Sequence, residues 1–164
     1  GTSGGHPSFS AMIADASIIF RDFERTLHTE HYTGNLYVMG RSLGAISAME
    51  VAAHYPDRLK GLILESGAGG TGGWPRWMRS TDDPSAWEQL SQLHTAKLRS
   101  ITLPMLTIHG DLDDIAPIER ALELREIVSS NTKELLVIPG AGHNDIFFVG
   151  MTSYMEALQQ FVTS

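Results

Sequence analysis

Two hydrophobic spacings alternate along the 164-residue chain. Phe9, Met12, Ile13, Ala16, Ile19, Phe20, Phe23 and Leu27 recur at steps of three and four residues, the stripe of an amphipathic helix. Residues 35–40 form a short apolar run closed by glycine, which reads as a strand. Residues 43–54 are apolar nearly all round, which predicts a buried helix stopped by Pro56. Strand patterns return at residues 59–64, 103–109 and 134–138, and helical patterns at 117–128 and about 145–162. The last helix is expected to pack through Phe147, Met151, Tyr154, Met155, Leu158, Phe161 and Val162. Strands that alternate with helices predict an α/β fold, here four parallel strands joined by crossovers.

Residues 67–100 are longer than a plain crossover and open on a glycine-rich stretch before Trp74, Trp77 and Met78, so a lid-like insertion is expected there. Neither a linker nor a repeat divides the chain, and residues 1–164 are read as one domain. Twelve Lys and Arg against nineteen Asp and Glu give a formal charge of −7, which repels a nucleic-acid backbone. At 42% hydrophobic and 19% charged residues the chain is too apolar for intrinsic disorder. No apolar run approaches the ~18 residues of a membrane span and no signal-peptide pattern opens the chain, so a soluble, cytoplasmic protein is expected. The absence of cysteine removes disulfides, thiol nucleophiles and Cys-ligated metals.

Parallel sheets bind ligands at the carboxyl ends of their strands, and three such positions carry chemistry. Gly40-Arg41-Ser42-Leu43-Gly44 follows a strand and opens a helix, with glycines where a sharp turn crowds the backbone. Ser42 would project from this elbow as a nucleophile; its plainer reading is a helix cap. Gly1-Thr2-Ser3-Gly4-Gly5 matches the same G-x-S-x-G pattern but has no strand before it. The loop 109–117 holds Asp111, Asp113 and Asp114, any of which is a candidate acid. The loop 139–145 presents His143 between glycines directly after the last strand, within reach of Ser42. His28-Thr29-Glu30-His31 has metal-ligand spacing, yet it reads as a solvated helix end, and no metal or cofactor is expected. Gly140 and Gly142 are too sparse for a dinucleotide loop.

Serine, acid and histidine in that order, each after its own strand, resemble the α/β-hydrolase superfamily over essentially the whole chain. The stretch from Gly1 to Pro7, the Met39-Gly40-Arg41-Ser42-Leu43-Gly44 elbow and the Gly140-Ala141-Gly142-His143-Asn144-Asp145 loop look like the Bem46-type branch, which includes esterase-like and thioesterase (depalmitoylating) members. The resemblance implies a Ser42, Asp113, His143 triad, with the acid placed by the H-G-x-x-D pattern and the base by P-G-A-G-H. Glu65 is a rarer alternative for the acid, and its plainer role is to brace the elbow. The N–H of Leu43 is expected to serve as one oxyanion donor, because it follows the nucleophile at a helix start. The resembled fold takes its second donor, and several strands, from segments that precede any stretch like Gly1 to Pro7. The chain is therefore expected to be the carboxyl-terminal part of a parallel-sheet hydrolase. Trp74 and Trp77 are candidates for lining a substrate pocket, or for simple packing, and His109 for ordering the acid loop. The implied activity is a serine hydrolase acting on a small-molecule or acyl-chain ester or thioester. An acyltransferase using the same triad and a non-catalytic binding protein are the alternatives. Oligomeric state is left open.

Overall fold

The computed structural model describes residues 4, 9–67 and 84–164. Helix α1 (Phe9–Thr29) leads to strand β1 (Tyr37–Arg41) and helix α2 (Gly44–His54). Strand β2 (Gly61–Glu65), helix α3 (Pro84–Arg99), strand β3 (Met105–Gly110), helix α4 (Ile118–Ile127), strand β4 (Lys133–Ile138) and helix α5 (Ile146–Thr163) follow. The expected elements are all present, with bounds displaced by no more than two residues. A short 3-10 turn, Pro56–Arg58, links α2 to β2, because proline at 56 cannot continue the helix.

All neighbouring strands run parallel, and their spatial order, β1-β2-β3-β4, is their order in the chain. Arg41 stands beside Glu65, Glu65 beside Ile108, and Gly110 beside Ile138. This register levels the carboxyl ends, so the loops after β1, β3 and β4 open at one end of the sheet.

Alternation along the buried strands divides the core. Leu62 and Leu64 of β2 and Met105 of β3 face a layer that includes Phe20 of α1, Ala45 and Met49 of α2, Leu98 of α3 and Leu124 of α4. Ile63, Leu106 and Ile108 point the other way, onto Ile146, Tyr154 and Phe161 of α5. The near-continuous apolar runs of β2 and β3 follow from burial on both faces. As expected, α2 is buried along most of its length.

Two helices turn differently from the expected stripes. In α1, Ile19 and Phe23 are exposed by 66% and 52%, and Ala16 and Phe20 carry the packing. In α5, Met151 and Met155 are exposed by 54% and 52%, and the contact line runs through Ile146, Gly150, Tyr154 and Phe161. Gly150 lies against Ile138 and has non-helical backbone, φ −119° and ψ 28°, so α5 is kinked there. A helix with apolar residues around most of its girth has no unique packing side in periodicity alone.

The carboxyl-terminal half of the 67–100 stretch is helix α3, which packs on α2 and α4 with Leu98 fully buried. Lys97 pairs with the buried Glu50 of α2. Trp74, Trp77, Met78 and the rest of residues 68–83 lie outside the described residues, as does Ser3. Among the described residues no helix is long and apolar enough to cross a membrane, and no three His, Asp or Glu side chains gather as a metal site.

Candidate active site

The turn from β1 into α2 is sharp because its backbone segments nearly touch. A Cβ added to Gly40 would lie 2.5 Å from the Gly44 carbonyl oxygen and 2.7 Å from the Ala45 Cα, so only glycine fits. Gly44 differs from expectation: among the described residues nothing crowds it. The strain of the turn falls on Ser42, whose φ of 50° is left-handed. Ser42 N–H donates to the Glu65 carbonyl at 2.9 Å, which ties the elbow to β2 and leaves the Ser42 side chain part-exposed above the sheet. Leu43, with φ −57° and ψ −35°, begins the α2 turn, and its N–H makes no backbone hydrogen bond among the described residues.

The loop after β3 turns back on itself around Asp113. Its Oδ1 accepts the N–H groups of Ile115 at 3.1 Å and Ala116 at 2.7 Å, an Asx-type turn that aims the carboxylate inward. Beneath it the fully buried His109 holds the Ala116 carbonyl through Nε2 at 2.7 Å, so His109 orders this loop as expected. The loop after β4 approaches so closely that a Cβ on Gly110 would lie 2.2 Å from the Ala141 oxygen. Leu112 N–H donates to that oxygen at 2.9 Å, and Asp111 Oδ1 accepts the Gly140 N–H at 2.7 Å. These contacts deliver His143, itself buried, to the elbow.

His143 Nδ1 stands 2.8 Å from Asp113 Oδ2 and 3.0 Å from Oδ1, and Nε2 stands 2.9 Å from Ser42 Oγ. A carboxylate only accepts, so the imidazole proton belongs on Nδ1, and Nε2 is left to accept from the Ser42 hydroxyl. Burial pushes the Asp113 carboxyl up, but the hydrogen bonds from Ala116 N–H and His143, with the imidazolium charge, outweigh it and hold the group below its ordinary value. Asp113 therefore stays ionised where an imidazole is neutral.

The other candidates for the acid are occupied elsewhere or face solvent. Asp111 staples the two loops, Asp114 is exposed, and Glu65 accepts from Arg41 Nε at 2.8 Å and from the Tyr154 hydroxyl at 2.6 Å. Sequence reasoning gave Arg41 and Asn144 no role of their own and read Tyr154 only as a packing residue of the last helix. Arg41 Nη2 also donates to the His143 carbonyl at 2.6 Å and to Asn144 Oδ1 at 3.0 Å. A guanidinium one residue before the candidate serine was the available signal.

Comparison with known proteins places the chain among relatives of one fold. Alpha/beta hydrolase domain-containing protein 17B of Xenopus tropicalis is 31% identical over 99% of the chain and 53% of its own length. The Homo sapiens protein of the same name is 29% identical over 99% and 53%. The chain thus spans about half the length of the curated relatives it matches. Among solved structures, a Paleococcus ferrophilus monoacylglycerol lipase superposes with a TM-score of 0.68 at 19% identity, covering 98% of this chain and 77% of that one. Est1E from Butyrivibrio proteoclasticus gives 0.68 at 19% identity, with 96% and 72% covered. Residues 1–83, just over half the chain, match the family Hydrolase_4, described as serine aminopeptidase, S33. By that match and by its sheet, the chain belongs to the Hydrolase_4 family of the α/β-hydrolase superfamily.

Proposed function

We propose that this chain is a serine hydrolase that cleaves a carboxylic ester or thioester through an acyl-enzyme on Ser42. The observation that carries the reading is the unbroken relay from Ser42 Oγ to His143 Nε2 at 2.9 Å and from Nδ1 to Asp113 Oδ2 at 2.8 Å. Serine is a weak nucleophile as a free alcohol, so His143 removes its proton as Oγ adds to the carbonyl carbon. The resulting oxyanion is met by the Leu43 N–H at the start of α2, where the helix dipole adds to the attraction. Collapse expels the alcohol or thiol, which takes the proton from His143 Nε2. Water then enters, gives a proton to the same nitrogen, attacks the acyl group and releases the acid with Ser42 regenerated. Asp113 holds the tautomer that makes both transfers possible and stabilises the imidazolium formed between them.

The test is covalent labelling with a fluorophosphonate and turnover of a p-nitrophenyl ester, an acyl thioester and an aminoacyl anilide. Wild type is expected to be labelled at Ser42 and to hydrolyse the ester and thioester, and Ser42→Ala to do neither. A folded protein that takes no label, or one labelled at Ser3, overturns the assignment. Turnover of the anilide alone makes the enzyme a peptidase instead.

A further inference from the structure

The Arg41 guanidinium lies outside the relay, yet it touches the main chain of the relay's histidine. Its Nε donates to Glu65 Oε1 at 2.8 Å, and Nη2 donates to the His143 carbonyl at 2.6 Å and to Asn144 Oδ1 at 3.0 Å. Glu65 is nearly buried, its second oxygen accepts from the Tyr154 hydroxyl at 2.6 Å, and its own carbonyl holds the Ser42 N–H at 2.9 Å. One charged cluster thus joins the elbow, β2, the histidine loop and α5. Arg41 and Glu65 are register neighbours on adjacent strands, so the sheet itself sets one end of the fork.

We propose that Arg41 is a positioning residue that fixes the distance between the histidine loop and the elbow, with Glu65 and Tyr154 orienting its guanidinium. The inference deepens the serine-hydrolase reading and rests on it for its catalytic consequence. The fork geometry is what matters. Lysine offers one ammonium on a flexible stem and cannot donate to Glu65 and to the His143 carbonyl from a rigid plane. Losing the fork frees the loop that carries His143, and a displacement of about 1 Å in a reacting group costs on the order of 100-fold in rate.

Two measurements separate this proposal from the reading beneath it. The first needs no activity: the downfield proton NMR signal of His143 Nδ1–H, assigned by its loss in His143→Ala, reports how firmly the ring is held by Asp113. It is expected to be sharp in wild type, broadened by exchange in Arg41→Ala and Arg41→Lys, and restored in Arg41→Ala by methylguanidinium at sub-denaturing concentration. The second is the rate of fluorophosphonate labelling, expected to fall about 10- to 100-fold in both variants and to recover with methylguanidinium in Arg41→Ala. Thermal melting confirms that each variant folds, and Glu65→Gln, which loosens the guanidinium without removing it, gives an intermediate broadening should Arg41→Ala not fold. An unchanged Nδ1–H signal in folded Arg41→Ala overturns the positioning role, as does full recovery in Arg41→Lys, which would leave only a charge effect. Absence of labelling in wild type overturns the serine-hydrolase reading, and the NMR signal still decides the brace.

Discussion

Three aspartates fall within four residues after β3, and neighbouring backbone directions give them three fates. Asp113 turns inward onto His143, Asp111 caps the Gly140 N–H, and Asp114 stays in solvent. Asp113→Asn should therefore cost on the order of 10⁴ in kcat, by analogy with the same change in serine proteases, because the amide favours the wrong imidazole tautomer. Asp111→Asn keeps an acceptor and should lose about 1 kcal/mol of stability with most activity retained. Asp114→Asn should change neither. Steady-state kinetics with melting temperatures checks all three. The depressed carboxyl also sets a pH dependence. The unfolded chain binds this proton at a higher pH than the folded one, so the stabilisation is complete above the ordinary value of 3.8 and drains away as pH falls through the lower folded value. Chemical unfolding at pH 6 and pH 3 should show a smaller acid loss in Asp113→Asn than in wild type. From composition alone these three carboxylates are equivalent. Only the resemblance separated them in the sequence, and the physical separator is the Asx-type turn, which depends on where Ile115 and Ala116 N–H groups point.

At the scale of elements, the spacing of apolar residues announced the four strands and every helix but α3, which lies in the stretch read as an insertion, because burial on two faces or one leaves different periods. It could not orient α5, whose apolar residues surround the axis and whose seat is chosen by small features of the sheet. Gly150 fits against Ile138, and Gly61 leaves room for the Phe161 ring. The elbow shows the same limit, since two glycines in one motif have unequal reasons to be there. Gly40→Ala drives a methyl into the backbone of α2 and should destabilise by several kcal/mol or prevent folding. Gly44→Ala meets open space among the described residues at the first residue of a helix, and should be neutral or stabilise by up to about 1 kcal/mol. Denaturant titration of the two variants distinguishes them directly, and equal losses would contradict the asymmetry.

Across the whole molecule, β1 has β2 on one side and, among the described residues, no strand on the other. An edge with unpaired backbone donors and acceptors favours association with another strand. Light scattering of this chain over a dilution series should show reversible self-association, and a monomer at every concentration would mean that the edge is covered. The sheet is also laid down in strict chain order, each strand beside the one before it. That order bears on biosynthesis. As the polypeptide leaves the ribosome, β1, β2 and β3 can pair in turn, so the serine turn forms early. Its partner imidazole lies 101 residues downstream and arrives only with β4. Throughout that interval Ser42 is an ordinary alcohol, inert toward activated acyl groups around it, and on this reading nascent chains are spared premature acylation until β4 docks.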